Sequence, residues 1–188
     1  MSKTTLYIKN MVCRRCITAV EETLTKLKIP FSSVTLGRAV VENDNLDYGL
    51  LGKELEKIGF ELITDEKEKL SENIKNLIVS YIHHNNNDVL DINFSVFLSE
   101  KTGKEYSYIS KLFSEHEGVT IERYIILQKI ERVKELVSYN QLNFSEIAFL
   151  LNYSSPAHLS KQFKDITGMT LSEYKKKTDK QRNTIDKL

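Results

Sequence analysis

The sequence predicts an α+β domain of β-α-β-β-α-β order followed by an all-α domain built on a double helix-turn-helix. Three observations predict it. Strand-like and helix-like segments alternate over the first 65 residues; no convincing strand remains after residue 68; and a helix-turn-helix pattern occurs twice at an offset of 50 residues. A length of 188 residues is comfortable for two small domains. An apolar fraction of 40%, 28% charged residues, two prolines and seven glycines exclude collagen-like, disordered and low-complexity chains. No apolar run approaches the roughly 18–20 residues of a membrane helix. The first residues lead into a strand-like segment without the apolar core of a leader, so a cytoplasmic chain with no membrane partner is expected. No nucleophile–base pair, phosphate loop or paired-carboxylate pattern is present in the sequence, so no enzyme is expected.

In the first domain, residues 1–65, Thr4 to Asn10 has strand composition. Cys16 to Leu27 places Ile17, Val20, Leu24 and Leu27 on one helical face, ended by Pro30. Phe31 to Leu36 and Ala39 to Glu42 form two strands about a Gly37-Arg38 turn. Leu50, Leu51, Leu55 and Ile58 line a second helix closed by Gly59, and Phe60 to Thr64 is the last strand. This order is the split βαβ arrangement of ferredoxin-like domains. The charged stretch Asp65 to Lys69 reads as a boundary into the second domain, residues 67–188. There Leu70, Ile74, Leu77, Ile78 and Tyr81 share a helical face, and His83 to Asn87 reads as a solvated loop rather than a metal site.

Self-comparison carries the second half. Asn93-Phe94-Ser95 recurs as Asn143-Phe144-Ser145; Ser110, Lys111 and Phe113 as Ser160, Lys161 and Phe163; Gly118, Thr120 and Tyr124 as Gly168, Thr170 and Tyr174. That is nine identities over 32 positions, where composition alone gives about two. In the second copy Asn143 and Glu146 form a capping box, and Asn152 to Ser154 make a turn. Ser155 then caps a helix with Pro156 at its first position, Gly168 ends it, and Thr170 with Glu173 opens a last short helix. One long amphipathic helix, Thr120 to Val137, ties the copies together.

At 100° per residue Leu159, Phe163 and Ile166 point one way, while Ala157, Ser160, Lys161 and Lys164 point the other. Small residues permit close approach to a major groove, a serine hydroxyl reaches a base edge or phosphate, and lysine pairs with guanine acceptors or phosphate oxygens. Ser155 at the start of the helix joins this face. The first copy offers Ser107, Ser110, Lys111 and Ser114 above a buried Ile109, Leu112 and Phe113, but Glu115 and Glu117 on its flank would repel phosphate. Double-stranded DNA is the partner this pattern predicts, and a homodimer is compatible with it. A helical-hairpin array with a merely solvated face is the competing reading. Charge leans the same way: residues from Ser155 onward carry 8 Lys and Arg against 4 Asp and Glu, in a chain of net charge +1.

Residues from about 70 to 178 resemble the DNA-binding domain of the arabinose-operon regulator family (AraC/XylS type) of bacterial transcription factors. The stretch Asn152 to Tyr174 is similar to that family's signature, with Lys161 where arginine is commoner and Asn152 where glycine is usual. The resemblance implies two helix-turn-helix units in successive major-groove segments, roughly 34 Å apart.

Met11-Val12-Cys13-Arg14-Arg15-Cys16 joins the first strand to the first helix. Two thiols at this spacing can face one soft ion, and the helix start with its arginines favours thiolate. Such a pair suits linear Cu(I) and supplies half of a Zn(II) site. A thiol redox switch and a purely packing or dimerisation role are the other readings. Residues 4–64 resemble heavy-metal-associated domains of copper chaperones and transport ATPases, at Met11, Cys13, Cys16 and the closing Gly59-Phe60-Glu61, with Asn10 in place of the usual glycine. The combined expectation is a DNA-binding regulator responsive to a soft metal. The alternative is a metal chaperone or buffer with a helical protein-interaction module.

Overall fold

The structure is a computed structural model that describes residues 3–42, 46–84, 93–177 and 185. The chain divides into two compact units, Met1–Leu77 and Ile78–Leu188.

The first unit runs β1 (Thr4–Lys9), α1 (Arg14–Lys26), β2 (Phe31–Thr35), β3 (Arg38–Val41), α2 (Tyr48–Glu56) and β4 (Glu61–Ile63), and then enters α3 (Glu66–His83). Its four strands make an antiparallel sheet in the order β2-β3-β1-β4. Strand β1 lies inside the sheet, so alternate residues Leu6 and Ile8 are buried and pack with Val20 and Leu24 of α1 and Leu51 and Leu55 of α2. The sequence places Leu50 and Ile58 on the buried face of α2, but they are 49% and 44% exposed. A helix on a sheet buries a single stripe, which Leu51 and Leu55 fill; Leu50 sits 100° away and Ile58 falls beyond the last turn.

The sequence puts the domain boundary near residue 66, where α3 begins, whereas the packing divides the chain within that helix, between Leu77 and Ile78. Local chemistry in the first unit accounts for the difference. Lys9 Nζ donates to Glu68 Oε1 at 2.9 Å, and Lys69 Nζ lies 5.5 Å from the centroid of the Tyr7 ring. The buried amide of Asn76 lies against Gly37, whose backbone has φ +73°; a Cβ there would sit 2.1 Å from Asn76 Nδ2. Glycine at this turn is thus required twice, for the left-handed backbone and for the close approach.

The second unit contains α4 (Phe94–Thr102), α5 (Tyr106–Glu117), α6 (Ile121–Tyr139), α7 (Phe144–Leu150), α8 (Pro156–Thr167) and α9 (Leu171–Lys176). Helix α6 is the hub, touching α5, α7, α8 and α9. Two repeated aromatic pairs hold α5 and α8 down: Phe113 of α5 meets Tyr124 at 5.6 Å between ring centroids, and Phe163 of α8 meets Tyr174 at 5.5 Å. Asn143 and Thr170 head complete capping boxes with Glu146 and Glu173, as their spacing predicts.

The histidine reading is corrected. His83 is the last residue of α3, not a loop residue, and is buried; its Nε2–H donates to Gln128 Oε1 of α6 at 2.9 Å. Burial pushes its pKa down to about 4. His84 is exposed, and Asn85 to Asn87 lie outside the described residues. The pairing that decides this is 45 positions away in sequence, so no local pattern announces it.

Candidate nucleic-acid interface and cysteine pair

Helix α8 is built for a fixed start and stop. Ser155 Oγ accepts the backbone N–H of His158 at 3.1 Å, Pro156 occupies the first turn, and Gly168, at φ +76°, closes the helix through its N–H to Lys164 O. Leu159 and Phe163 are fully buried. Ala157, Ser160, Lys161 and Lys164 are exposed, so the polar face read from the sequence is open to solvent. Ser155 is half-buried, with its oxygen engaged as the cap.

The turn before α8 is anchored by residues that the periodicity does not single out. Asn152 has φ +51°, a conformation asparagine tolerates. Lys129 of α6 donates from Nζ to Leu151 O at 2.8 Å and lies 5.3 Å from the Tyr153 ring centroid. Burial lowers the pKa of Lys129 and raises that of the Tyr153 phenol. The Tyr153 hydroxyl in turn donates to Gln162 Oε1 at 2.9 Å, tying the turn to the second turn of α8. Lys129 lies between Gln128 and Ile130 on the long helix, where nothing in the local pattern sets it apart.

The first copy differs in kind. Glu105 stands at the α5 N-cap without a side-chain cap bond, and Tyr106 donates its hydroxyl to Glu122 Oε1. Burial, then this bond, raises the Tyr106 pKa, and the same bond lowers that of Glu122. Ser107 and Lys111 are exposed, but Lys111 Nζ faces Glu115 Oε1 at 3.9 Å. Ser110 and Ser114 are half-buried, and the Ser114 hydroxyl donates to Ser110 O at 2.9 Å. The four predicted contact residues of α5 therefore divide into two open and two partly withdrawn.

In the first unit, Cys13 is the N-cap of α1 and Cys16 lies in its first turn, with their sulfurs 3.3 Å apart. Burial opposes ionisation of Cys13, but hydrogen bonds from Cys16 and Arg15 and the Arg15 charge together pull its pKa below the usual thiol value. Burial raises that of Cys16. Asn10, at φ +70°, donates from Nδ2 to Gly59 O at 3.2 Å, joining the loop before the cysteines to the turn before β4. Met11 is fully buried in the core. Among the described residues no group of three or more His, Cys, Asp or Glu side chains could hold a metal ion. Two sulfurs alone fit a two-coordinate soft ion; a Zn(II) site would need two further ligands.

The second unit holds two successive helix pairs, and residues 98–177 match the family model described as a helix-turn-helix domain. An HTH-type transcriptional regulator of Staphylococcus aureus is 33% identical over 78 residues, 42% of this chain. A second, from S. aureus strain MSSA476, is 32% identical over the same length. The match spans only 10% of either relative's own length. The fold is similar to that of the C-terminal domain of AraT, a response regulator from Geobacillus stearothermophilus. The TM-score is 0.50, with 17% identity, covering 64% of this chain and 92% of that one. Among the described residues no helix is long and apolar enough to cross a membrane.

Proposed function

We propose that the protein is an AraC-type, sequence-specific regulator of transcription that binds double-stranded DNA in the cytoplasm through α5 and α8. The observation that carries this reading is the open face of α8, where Ala157, Ser160, Lys161 and Lys164 stand exposed on a helix fixed at both ends and along its buried side. Helix α8 is the stronger reader, since among the described residues Lys161 and Lys164 make no ion pair like that of Lys111 with Glu115, although Asp165 stands where the first copy has Glu115.

Selection of bound duplexes from a random pool tests the proposal, with a footprint over two adjacent helical turns as the expected result. Lys161→Ala is expected to weaken binding and lower its salt slope by about one unit. Ser160→Ala is expected to change sequence preference more than salt dependence. Equal loss on selected and random DNA would argue against base reading by Ser160.

The first unit fits a ferredoxin-like, heavy-metal-associated-like module, supported by its β-α-β-β-α-β order and by the cysteine pair at the start of α1. Cys13 and Cys16 would hold a soft ion such as Cu(I). Its occupancy would act on the end of β1, where Lys9 grips Glu68 at the start of α3, and so shift the DNA-competent population. Duplex affinity measured with and without Cu(I) is expected to change severalfold. The paired substitution Cys13→Ser and Cys16→Ser abolishes that change if the coupling is correct. An unchanged affinity in the unsubstituted protein removes the coupling and leaves the DNA-binding reading intact.

A further inference from the structure

His158 stands on α8 at the border of the open face, about 100° around the helix from Ala157 and 40° from the half-buried Gln162. Its ring is held on two sides. Ser154 Oγ lies 3.0 Å from Nδ1, and the Tyr153 ring packs edge-on at 5.4 Å between centroids. Tyr153 is itself fixed by Gln162 and by Lys129, so the imidazole is set by a chain of contacts that reaches back to the α6 hub. An exposed histidine carries no such restraint by default. The side chain is exposed, and the arrangement leaves Nε2 free of any partner among the described residues while its direction is constrained.

We infer that His158 is a contact to the DNA backbone, donating from Nε2–H to a phosphate oxygen beside the groove that α8 enters. This rests on the DNA-binding reading above and adds to it a residue that repeats and periodicity did not select. The position decides between base and phosphate: Ala157, Ser160, Lys161 and Lys164 occupy the centre of the face, and flanking positions meet the strand walls. A phosphate accepts only, so the Ser154 hydroxyl donates to Nδ1 and the proton stays on Nε2. Ser154 is then a positioning residue that acts through the histidine. The first copy has Tyr108 at the equivalent position and Lys104 in place of Ser154, so it lacks this device.

The test is duplex binding by the full chain, on a selected sequence and on random DNA of equal length. His158→Ala is expected to weaken both by about tenfold, with the ratio between them unchanged. His158→Gln, which can still present an N–H, is expected to recover most of the loss. Ser154→Ala is expected to weaken binding about threefold on its own and to add nothing to His158→Ala, because both act on one contact. Undiminished binding by His158→Ala overturns the inference, as does a loss confined to the selected sequence or full additivity with Ser154→Ala. Failure of the unsubstituted protein to bind any duplex overturns the DNA-binding reading itself, and this inference with it.

Discussion

Phe163→Ala is expected to lower the stability of the second unit by about 3–5 kcal/mol. Phe163 is fully buried and meets Tyr174 edge to face, so the truncation removes a ring from a buried site together with its edge-to-face contact to Tyr174. It is also the residue that, with Leu159, clamps α8 to the rest of the unit. The exposed face of α8 keeps its orientation only while that clamp holds, so binding to duplex DNA should fall along with stability. Phe113→Ala is expected to cost a similar amount, since the Phe113–Tyr124 pair repeats the arrangement at the first copy. Denaturant unfolding followed by helical circular dichroism measures both. A change below about 1 kcal/mol for either would mean that the repeated aromatic pairs do not hold these helices.

The second large effect is on acid stability, through His83. The unfolded chain takes up the proton near the ordinary histidine value of 6.5, whereas the folded protein resists it down to about 4. Between those values the unfolded state binds more protons, so stability rises with pH there and is lost as pH falls. Burial is the main cause, and the Arg132 and His84 charges add to it, while the Gln128 bond and Glu135 oppose it. With Nε2–H committed to Gln128, a second proton must go to Nδ1, a buried atom with no hydrogen-bond partner among the described residues. The loss from pH 7 to pH 4 is expected to reach about 3 kcal/mol. His83→Gln removes this dependence, and the difference between the two proteins isolates it from the carboxylates that titrate below pH 5. Parallel stability curves for both over pH 7 to 4 would show that His83 contributes nothing.

How much was legible beforehand follows from the range of each interaction. The caps at Asn143, Ser155 and Thr170 are contacts across two or three residues, so residue type and spacing were enough to place them. The open and buried faces of α8 were legible for the same reason, since one helical period sorts Leu159 and Phe163 from Ser160 and Lys161. Helix α5 follows its pattern less closely. Ser110 and Lys111 match Ser160 and Lys161 of the second copy, yet Ser114 spends its hydroxyl on the preceding turn, and Lys111 stands beside an acid.

The same limit applies to α2, where apolar character alone placed Leu50 and Ile58 on the inner face. His83 is the clearest failure: a His-His-Asn-Asn-Asn run reads as polar loop, and only the arrival of Gln128 makes burial tolerable. The Lys129–Leu151 bond, the Tyr153–Gln162 bond and the ring support of His158 all lie around the second turn, and none leaves a periodic trace. Sequence by itself determined the order of elements, the duplication and the polarity of each helix face, because these depend on residue type at short, fixed spacings. Tertiary structure alone decided which polar groups are consumed in holding the helices and which remain open to a partner, because that depends on meetings between residues far apart in the chain.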